Sequence, residues 1–240
     1  GVWGMSAIDS KDKALIDRQF MTSLGYLVVE GPAGVGKTSL ARKLSETFTS
    51  GLILERPDEN PFLARFYQDR RQYALPTQLS FLFDRIRRLE GLRQGDLFHP
   101  YWVVNFFLER DLLFAQLTLD ADEFELYRHV YEQLAPKVSP PGLVIFLQAP
   151  VAVLQKRLQQ RHLPPEQMIP ADYLAELVDG YARFFLKYNN APLLMINAES
   201  ADFVNSEEDY RTLLEYLPTV KSGRHFFNPL ASAEMMGLGR

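Results

Sequence analysis

Apolar residues change their spacing along the chain, and the changes separate strands from helices. Residues 26–30 (YLVVE) form a short β-branched run after Gly25 and read as a first strand. Residues 52–55 (LILE), after Gly51, read as a second. Between them Leu40, Leu44 and Phe48 recur at helical spacing over 36–49. Residues 60–67 read as a short helix. Leu79, Leu82, Phe83, Ile86 and Leu89 then fall at i, i+3, i+4, i+7 and i+10, the stripe of an amphipathic helix. Residues 102–108 are a third apolar run, followed by a helix starting near Arg110. Phe124, Tyr127, Val130, Tyr131 and Leu134 share one side of a helix over 122–134. Residues 143–147 (LVIFL) contain no polar position, which suits a strand covered on both faces of a parallel sheet. Helices over 151–162 and 172–188, a last strand over 193–197 and a helix over 207–216 complete the pattern.

Strand and helix alternate five times. The predicted fold is therefore α/β, a five-stranded parallel sheet with helices on both faces and right-handed crossovers. The site of such a sheet lies at the carboxyl ends of its strands. Residues 25–217 read as one domain, preceded by an extension over 1–24. They are followed by a tail over 218–240 that Gly and Pro punctuate and that reads as irregular.

Composition narrows the chemistry. The chain has 240 residues, 26 Lys and Arg against 30 Asp and Glu, a net charge of −4 and no cysteine. Disulfides, thiolate nucleophiles and cysteine zinc sites are thereby excluded. The mild negative charge argues against a basic nucleic-acid face. The longest uncharged stretch, 138–155, is broken by Pro140, Pro141 and Pro150 and does not read as a membrane span. No secretory signal is visible at the N-terminus, so the cytoplasm is the expected location.

The strongest motif is Gly31-Pro32-Ala33-Gly34-Val35-Gly36-Lys37-Thr38, which fits G-x-x-x-x-G-K-[ST] between a strand and a helix. Glycines let backbone N–H groups wrap an anion, and the helix opening at Gly36 adds its positive dipole end. Gly31, Ala33, Gly34, Val35, Gly36, Lys37, Thr38 and Ser39 are the expected phosphate contacts. Lys37 is expected on the β- and γ-phosphates and Thr38 on Mg²⁺. The motif indicates a nucleoside triphosphate and leaves the phosphate acceptor open.

Other candidates are less specific. Glu55 ends the second strand beside the phosphate loop, as a proton acceptor or as an exposed turn charge. Gln78 and Arg85 share a helix face, placed either to read a base edge or to face solvent. Arg157 and Arg161, four apart, offer a phosphate clamp or a solvated basic face. The four histidines, His99, His129, His162 and His225, show no metal-ligand spacing.

Together, the segments from about residue 26 to 197 resemble the deoxyribonucleoside kinase family, which includes deoxycytidine, deoxyguanosine and deoxyadenosine kinases. Glu30-Gly31 with the loop resembles its E-G-x-x-x-x-G-K-[ST]. Asn60-Pro61-Phe62-Leu63 with Phe66-Tyr67 is similar to bacterial purine-preferring members. Tyr67 lies eleven residues before Gln78, and Arg85 seven after it, as in the family. Arg157, Arg161 and Glu166-Gln167-Met168-Ile169-Pro170 resemble its lid. The resemblance implies the three-layer phosphate-loop kinase fold, ATP and Mg²⁺ as cosubstrate and cofactor, and a homodimer. It implies that Glu55 deprotonates a sugar 5′-hydroxyl while Lys37, Thr38 and the lid arginines stabilise the transferring phosphoryl group. It also implies that Tyr67 and Glu166 hold the 3′-hydroxyl and that Gln78 and Arg85 read a base, a purine by the bacterial likeness.

The sequence departs from the family at two places. Leu163 stands where the lid carries a further arginine. The family's acidic-arginine pair falls on Asn105-Phe106 in one register and on Glu109-Arg110 in another. The first needs the shorter gap, and it still leaves Arg110 in the base pocket. Two alternatives remain open at this point. A nucleoside monophosphate kinase would use Arg65, Arg70 and Arg71 on the acceptor's phosphate. A nucleotide-binding protein with an eroded site would account for Asn105 and Leu163.

Overall fold

The computed structural model describes residues 18–94, 99–164 and 168–228. A helix, α1, described over 18–24, leads into β1 (Tyr26–Glu30), α2 (Lys37–Phe48) and β2 (Gly51–Ile53). α3 (Leu63–Gln68) and α4 (Arg70–Glu90) follow, then β3 (Trp102–Val104), α5 (Arg110–Thr118) and α6 (Ala121–Leu134). β4 (Leu143–Gln148), α7 (Val151–Gln159), α8 (Ala171–Lys187), β5 (Leu193–Asn197), α9 (Glu207–Tyr216) and β6 (Arg224–Phe227) complete the order.

The strands form one parallel sheet in the order β2-β3-β1-β4-β5-β6. It has six strands, not the five expected. The extra strand, β6, lies in the segment read as irregular. Only Phe227 of β6 is buried, so the run carries no alternating signal long enough to read.

Period-two alternation explains why β1 and β4 look apolar throughout. Leu27 and Val29 of β1, with Leu143, Ile145 and Leu147 of β4, pack into a core shared with α2 and α9. Tyr26, Val28, Val144 and Phe146 pack into the opposite core with α4, α5, α6 and α8. Glu30, two residues beyond Val28, shares that second face and reaches the sheet's carboxyl edge.

The apolar run 102–108 supplies only three strand residues. Beyond Val104 the chain leaves the sheet, and Phe106 and Phe107 stay buried as core residues rather than as strand. α4 begins earlier than its apolar stripe, at an Asp69 cap that accepts from the Gln72 N–H, and it runs through Pro76. Among the described residues no helix is long and apolar enough to cross a membrane.

Candidate active site

A cavity of about 800 Å³ opens at the carboxyl ends of β1 and β2. The loop after β1 forms one wall. Gly36 caps α2 in the left-handed region, at φ 100°, which a side chain rarely adopts. At Gly31 a Cβ would lie 2.6 Å from the Leu147 carbonyl oxygen, so the loop crosses β4 only because that atom is missing. Lys37 and Thr38, in the first turn of α2, line the cavity where the helix dipole is positive.

Behind the loop lies a buried charge cluster. Glu30 is fully buried. Its Oε1 accepts from the Gly31 N–H (2.7 Å), from Arg110 (2.9 Å) and from the Tyr181 hydroxyl (3.0 Å). Its Oε2 accepts from the Phe107 N–H at 2.9 Å. Glu55 stands just past β2, with Lys37 Nζ 2.5 Å from Oε1. Arg85 (3.0 Å) and Arg110 (2.5 Å) donate to its Oε2. Burial alone would raise the Glu55 carboxyl, but Arg110, Lys37 and Arg85 outweigh it and hold the group far below the usual carboxylate range. Glu55 is thus ionised at any working pH.

Asn105, directly after β3, links these groups. Its Oδ1 accepts from the Glu55 N–H at 2.6 Å, and its Nδ2 donates to Thr38 Oγ1 at 3.0 Å.

The opposite end of the cavity carries the helix-borne pair. Gln78 and Arg85 are 1% and 2% exposed, which rules out the solvated alternative for both. Gln78 Oε1 has no partner within the protein and lines the cavity, so it is an acceptor available to a ligand. Arg85 also donates to Asp111 of α5. Burial pushes the Asp111 carboxyl up to about 6, against the lowering pull of Arg85 and Arg110. Tyr67 lines the wall between the two ends. Burial, and secondarily the Glu55 charge, push its phenol above its ordinary value.

A sequence profile for deoxynucleoside kinase matches residues 27–220. The chain belongs to the deoxynucleoside kinase family. Deoxyguanosine kinase of Bacillus subtilis is 27% identical over 202 residues, covering 82% of this chain and 98% of that one. Deoxyadenosine kinase of Lactobacillus acidophilus is 26% identical over 203 residues, covering 79% and 93%. The solved structure of deoxyadenosine kinase from M. mycoides with products dCMP and a flexible dCDP superposes with a TM-score of 0.70. It is 19% identical and covers 81% of this chain and all of that one.

Within this deoxynucleoside kinase, Glu55, Lys37, Thr38, Tyr67, Gln78, Arg85, Asn105 and Arg110 converge on one cavity and its buried floor. Other expected contacts do not. The Val35 N–H donates to the Pro32 carbonyl (3.2 Å), and its side chain is in the core. Ser39 is exposed and outside the cavity lining. Arg157 does not point at the phosphate loop's cavity. Its guanidinium donates to the Ala198 carbonyl (2.8 Å) and the Val35 carbonyl (3.4 Å), because buried backbone acceptors on two sides leave it a strut's place. Arg161 and Leu163 do line the cavity. Glu166 lies outside the described residues. Of the competing registers, the geometry brings Asn105 and Arg110 into the site, whereas Glu109 faces Asn190.

Sequence reasoning missed Asp111 and Tyr181 and gave Glu30 no role. An acid ending an otherwise apolar strand was the one available signal for Glu30. Asp111 and Tyr181 are separated from their partners by 26 and 71 or more residues, and no local pattern marks them.

The residues fit a magnesium ion carried by phosphates rather than one held in a protein cage. Among the described residues no group of three His, Cys, Asp or Glu is placed to bind a metal. The Thr38 hydroxyl accepts one hydrogen bond and keeps a lone pair for a single metal bond.

Proposed function

We propose that this chain transfers the γ-phosphate of ATP to the 5′-hydroxyl of a deoxyribonucleoside, a purine by preference, in cytoplasmic nucleotide salvage. The observation that carries this reading is the position of Glu55. It is contacted at once by the phosphate loop's lysine and by both arginines of the nucleoside end, Arg85 and Arg110. A hydroxyl seated against Glu55 would lie beside the loop lysine that engages the phosphates, and positioning and charge dominate such a transfer.

Lys37 pairs with Glu55 at 2.5 Å and, less closely, with Glu30 at 3.4 Å. A triphosphate in the loop competes for Lys37, and its departure frees Glu55 Oε1 to accept the hydroxyl proton. Loss of that cation also raises the Glu55 pKa, which makes the carboxylate a better base at the moment of need. Mg²⁺, when bound with Thr38, supplies neutralisation of phosphate charge. Tyr67 bounds the sugar, with Glu166 as its family-implied partner. At the far end the Gln78 amide offers an acceptor and donors side by side, and Arg85 adds directed donors. That set matches the adjacent donor and acceptor atoms of a purine edge.

The arrangement speaks against a monophosphate acceptor. Arg70 is paired with Asp172 (2.6 Å) and Arg71 with Asp120 (2.9 Å). Arg65 donates to the Pro61 carbonyl, and none of the three lines the cavity. Phe83 of α4 and Leu126 of α6, 53% and 54% exposed, give apolar surface for the homodimer that the family implies. The test is an ADP-release assay over the four deoxynucleosides and their monophosphates. Turnover highest with deoxyguanosine or deoxyadenosine is expected. Turnover with dTMP and with no nucleoside would overturn the reading.

A further inference from the structure

Thr47 of α2, Thr118 of α5 and Thr212 of α9 each donate the side-chain hydroxyl to the carbonyl four residues back, at 3.0, 2.7 and 2.9 Å. Thr77 of α4 does not. It is fully buried, and its Oγ1 has no partner within the protein. The residue lines the cavity next to Gln78, whose Oε1 is likewise unpartnered. Burying a hydroxyl without a bond forfeits those it had in water, so the placement is costly unless a ligand completes it. The backbone at this point is fixed. Asn60 Nδ2 donates to the Thr77 carbonyl at 3.1 Å, and Asn60 Oδ1 accepts from the Phe62 N–H at 3.0 Å, which ties the segment after Glu55 to α4. Phe81 and Arg85 follow on the same face of the helix, four and eight residues on. Arg85 is itself held by Asp111 and Glu55. Asp111 Oδ2 is also unpartnered, but Asp111 is not among the residues that line the cavity. The unpartnered side-chain oxygens of the cavity wall are those of Gln78 and Thr77.

We propose that Thr77 determines base specificity: its hydroxyl bonds the substituent at position 6 of a purine, accepting from the amino group of adenine and donating to the carbonyl of guanine. A hydroxyl carries one donor and two acceptor lone pairs and rotates to suit its partner. Adenine and guanine differ at position 6 in that sense, an N–H donor in one and an oxygen acceptor in the other. A fixed donor or a fixed acceptor there would choose one purine, whereas Thr77 admits both. Gln78, one residue on, reads the neighbouring edge atom with its amide. The inference rests on the reading of the cavity as a purine deoxynucleoside site, and it extends that reading to one residue and one position of the base.

The test compares KM for deoxyadenosine and deoxyguanosine with the inhibition constant of purine 2′-deoxyriboside, which lacks the substituent at position 6. Thermal unfolding midpoints are read alongside. Thr77→Val keeps the branched shape and removes the hydroxyl. It is expected to raise KM for both deoxynucleosides about fivefold, the worth of one hydrogen bond, with kcat and the KM for ATP unchanged. The inhibition constant of purine 2′-deoxyriboside is expected to move by less than about twofold. The midpoint is expected to hold or rise, because the free protein loses an unpaired hydroxyl and no bond. Thr77→Ser, which keeps the hydroxyl, is expected to return both KM values to within about twofold of wild type. Should the valine variant not fold, Thr77→Ala is read in its place, with the same pattern expected. KM values within about twofold of wild type for both deoxynucleosides would overturn the proposal and leave Thr77 a packing residue. An equal loss with all three compounds, or a loss confined to one purine, would overturn it as well. A wild type that phosphorylates no deoxynucleoside would overturn the reading of the cavity itself, which is a different result from normal turnover without the Thr77 hydroxyl.

Discussion

Replacing Arg110 by methionine removes one cation from a cluster whose charges otherwise balance. Arg110 is 4% exposed and bonds Glu30 (2.9 Å), Glu55 (2.5 Å) and the Tyr181 hydroxyl (3.0 Å). Methionine fills much of the volume, so the cost is mainly electrostatic. Breaking a buried pair by removing one partner costs about 3–5 kcal/mol, since the other charge stays buried. Here Lys37 and Arg85 still touch Glu55, and Gly31 and Phe107 N–H groups still bond Glu30, so the low end, about 3 kcal/mol, is expected. For a chain of this size that lowers Tm by roughly 6–12 °C. Urea unfolding at pH 7 measures it. The pH dependence has a defined sign. Glu55 is depressed in the folded state, so its contribution is present above its unfolded value of about 4.3 and fades as pH falls toward the folded one. The gap between wild type and Arg110→Met is therefore widest at neutral pH and narrows below about pH 4. Adding Glu30→Gln restores the balance of charge and recovers about 2 kcal/mol of coupling. A loss under about 1 kcal/mol at pH 7, or no coupling with Glu30, would refute the claim that this cluster is held by matched charge.

The remaining predictions concern the site. Glu55→Gln lowers kcat by about 10²-fold or more and leaves ATP affinity intact, measured by single-turnover transfer and ATP titration; near-normal kcat removes Glu55 as base. Gln78→Ala raises the deoxynucleoside KM by about tenfold with the KM for ATP unchanged, the loss of one to two directed hydrogen bonds. Asp111, raised to about 6 by burial, binds a proton when folded that the unfolded chain has already released. Its contribution to stability therefore falls as pH rises from about 4 to 6. Asp111→Asn removes that slope from urea unfolding, together with any inflection near pH 6 in the deoxynucleoside KM. Arg157→Ala costs about 1–2 kcal/mol of stability and less than tenfold in kcat, as befits hydrogen bonds to two backbone carbonyls. A kcat loss above about 10²-fold at unchanged stability would place its guanidinium on the phosphates instead.

Legibility in the sequence followed the range of the interactions. The phosphate loop was readable because its glycines, lysine and threonine are contiguous and each answers to a local requirement, such as the left-handed φ at Gly36. Gln78 and Arg85 were readable as a pair because one helix carries both at matching phase. What makes them a site was not readable, since Asp111 and Glu55 reach Arg85 from other elements. Arg110 was expected in the base pocket. Its strongest partners are Glu30 and Glu55, brought to it by the parallel pairing of β1 and β3 and the turn after β3. Arg157 shows the converse. Two arginines on one helix face suggest a clamp, and the first donates to the Val35 carbonyl of the phosphate loop and to the Ala198 carbonyl after β5, contacts that only the tertiary fold creates. The sixth strand escaped because its burial rests on Phe227, and a single buried residue has no period.

Phosphoryl transfer to a deoxynucleoside by Glu55 and the loop is tested by incubating the protein with γ-³²P-ATP, Mg²⁺ and deoxyguanosine or deoxyadenosine, and by locating the label in the product. The expected product is a 5′-monophosphate whose label a 5′-nucleotidase releases, formed by wild type and at about one-hundredth the rate by Glu55→Gln. Bound ATP with no labelled nucleoside, or label accepted only by a nucleoside monophosphate, would contradict it.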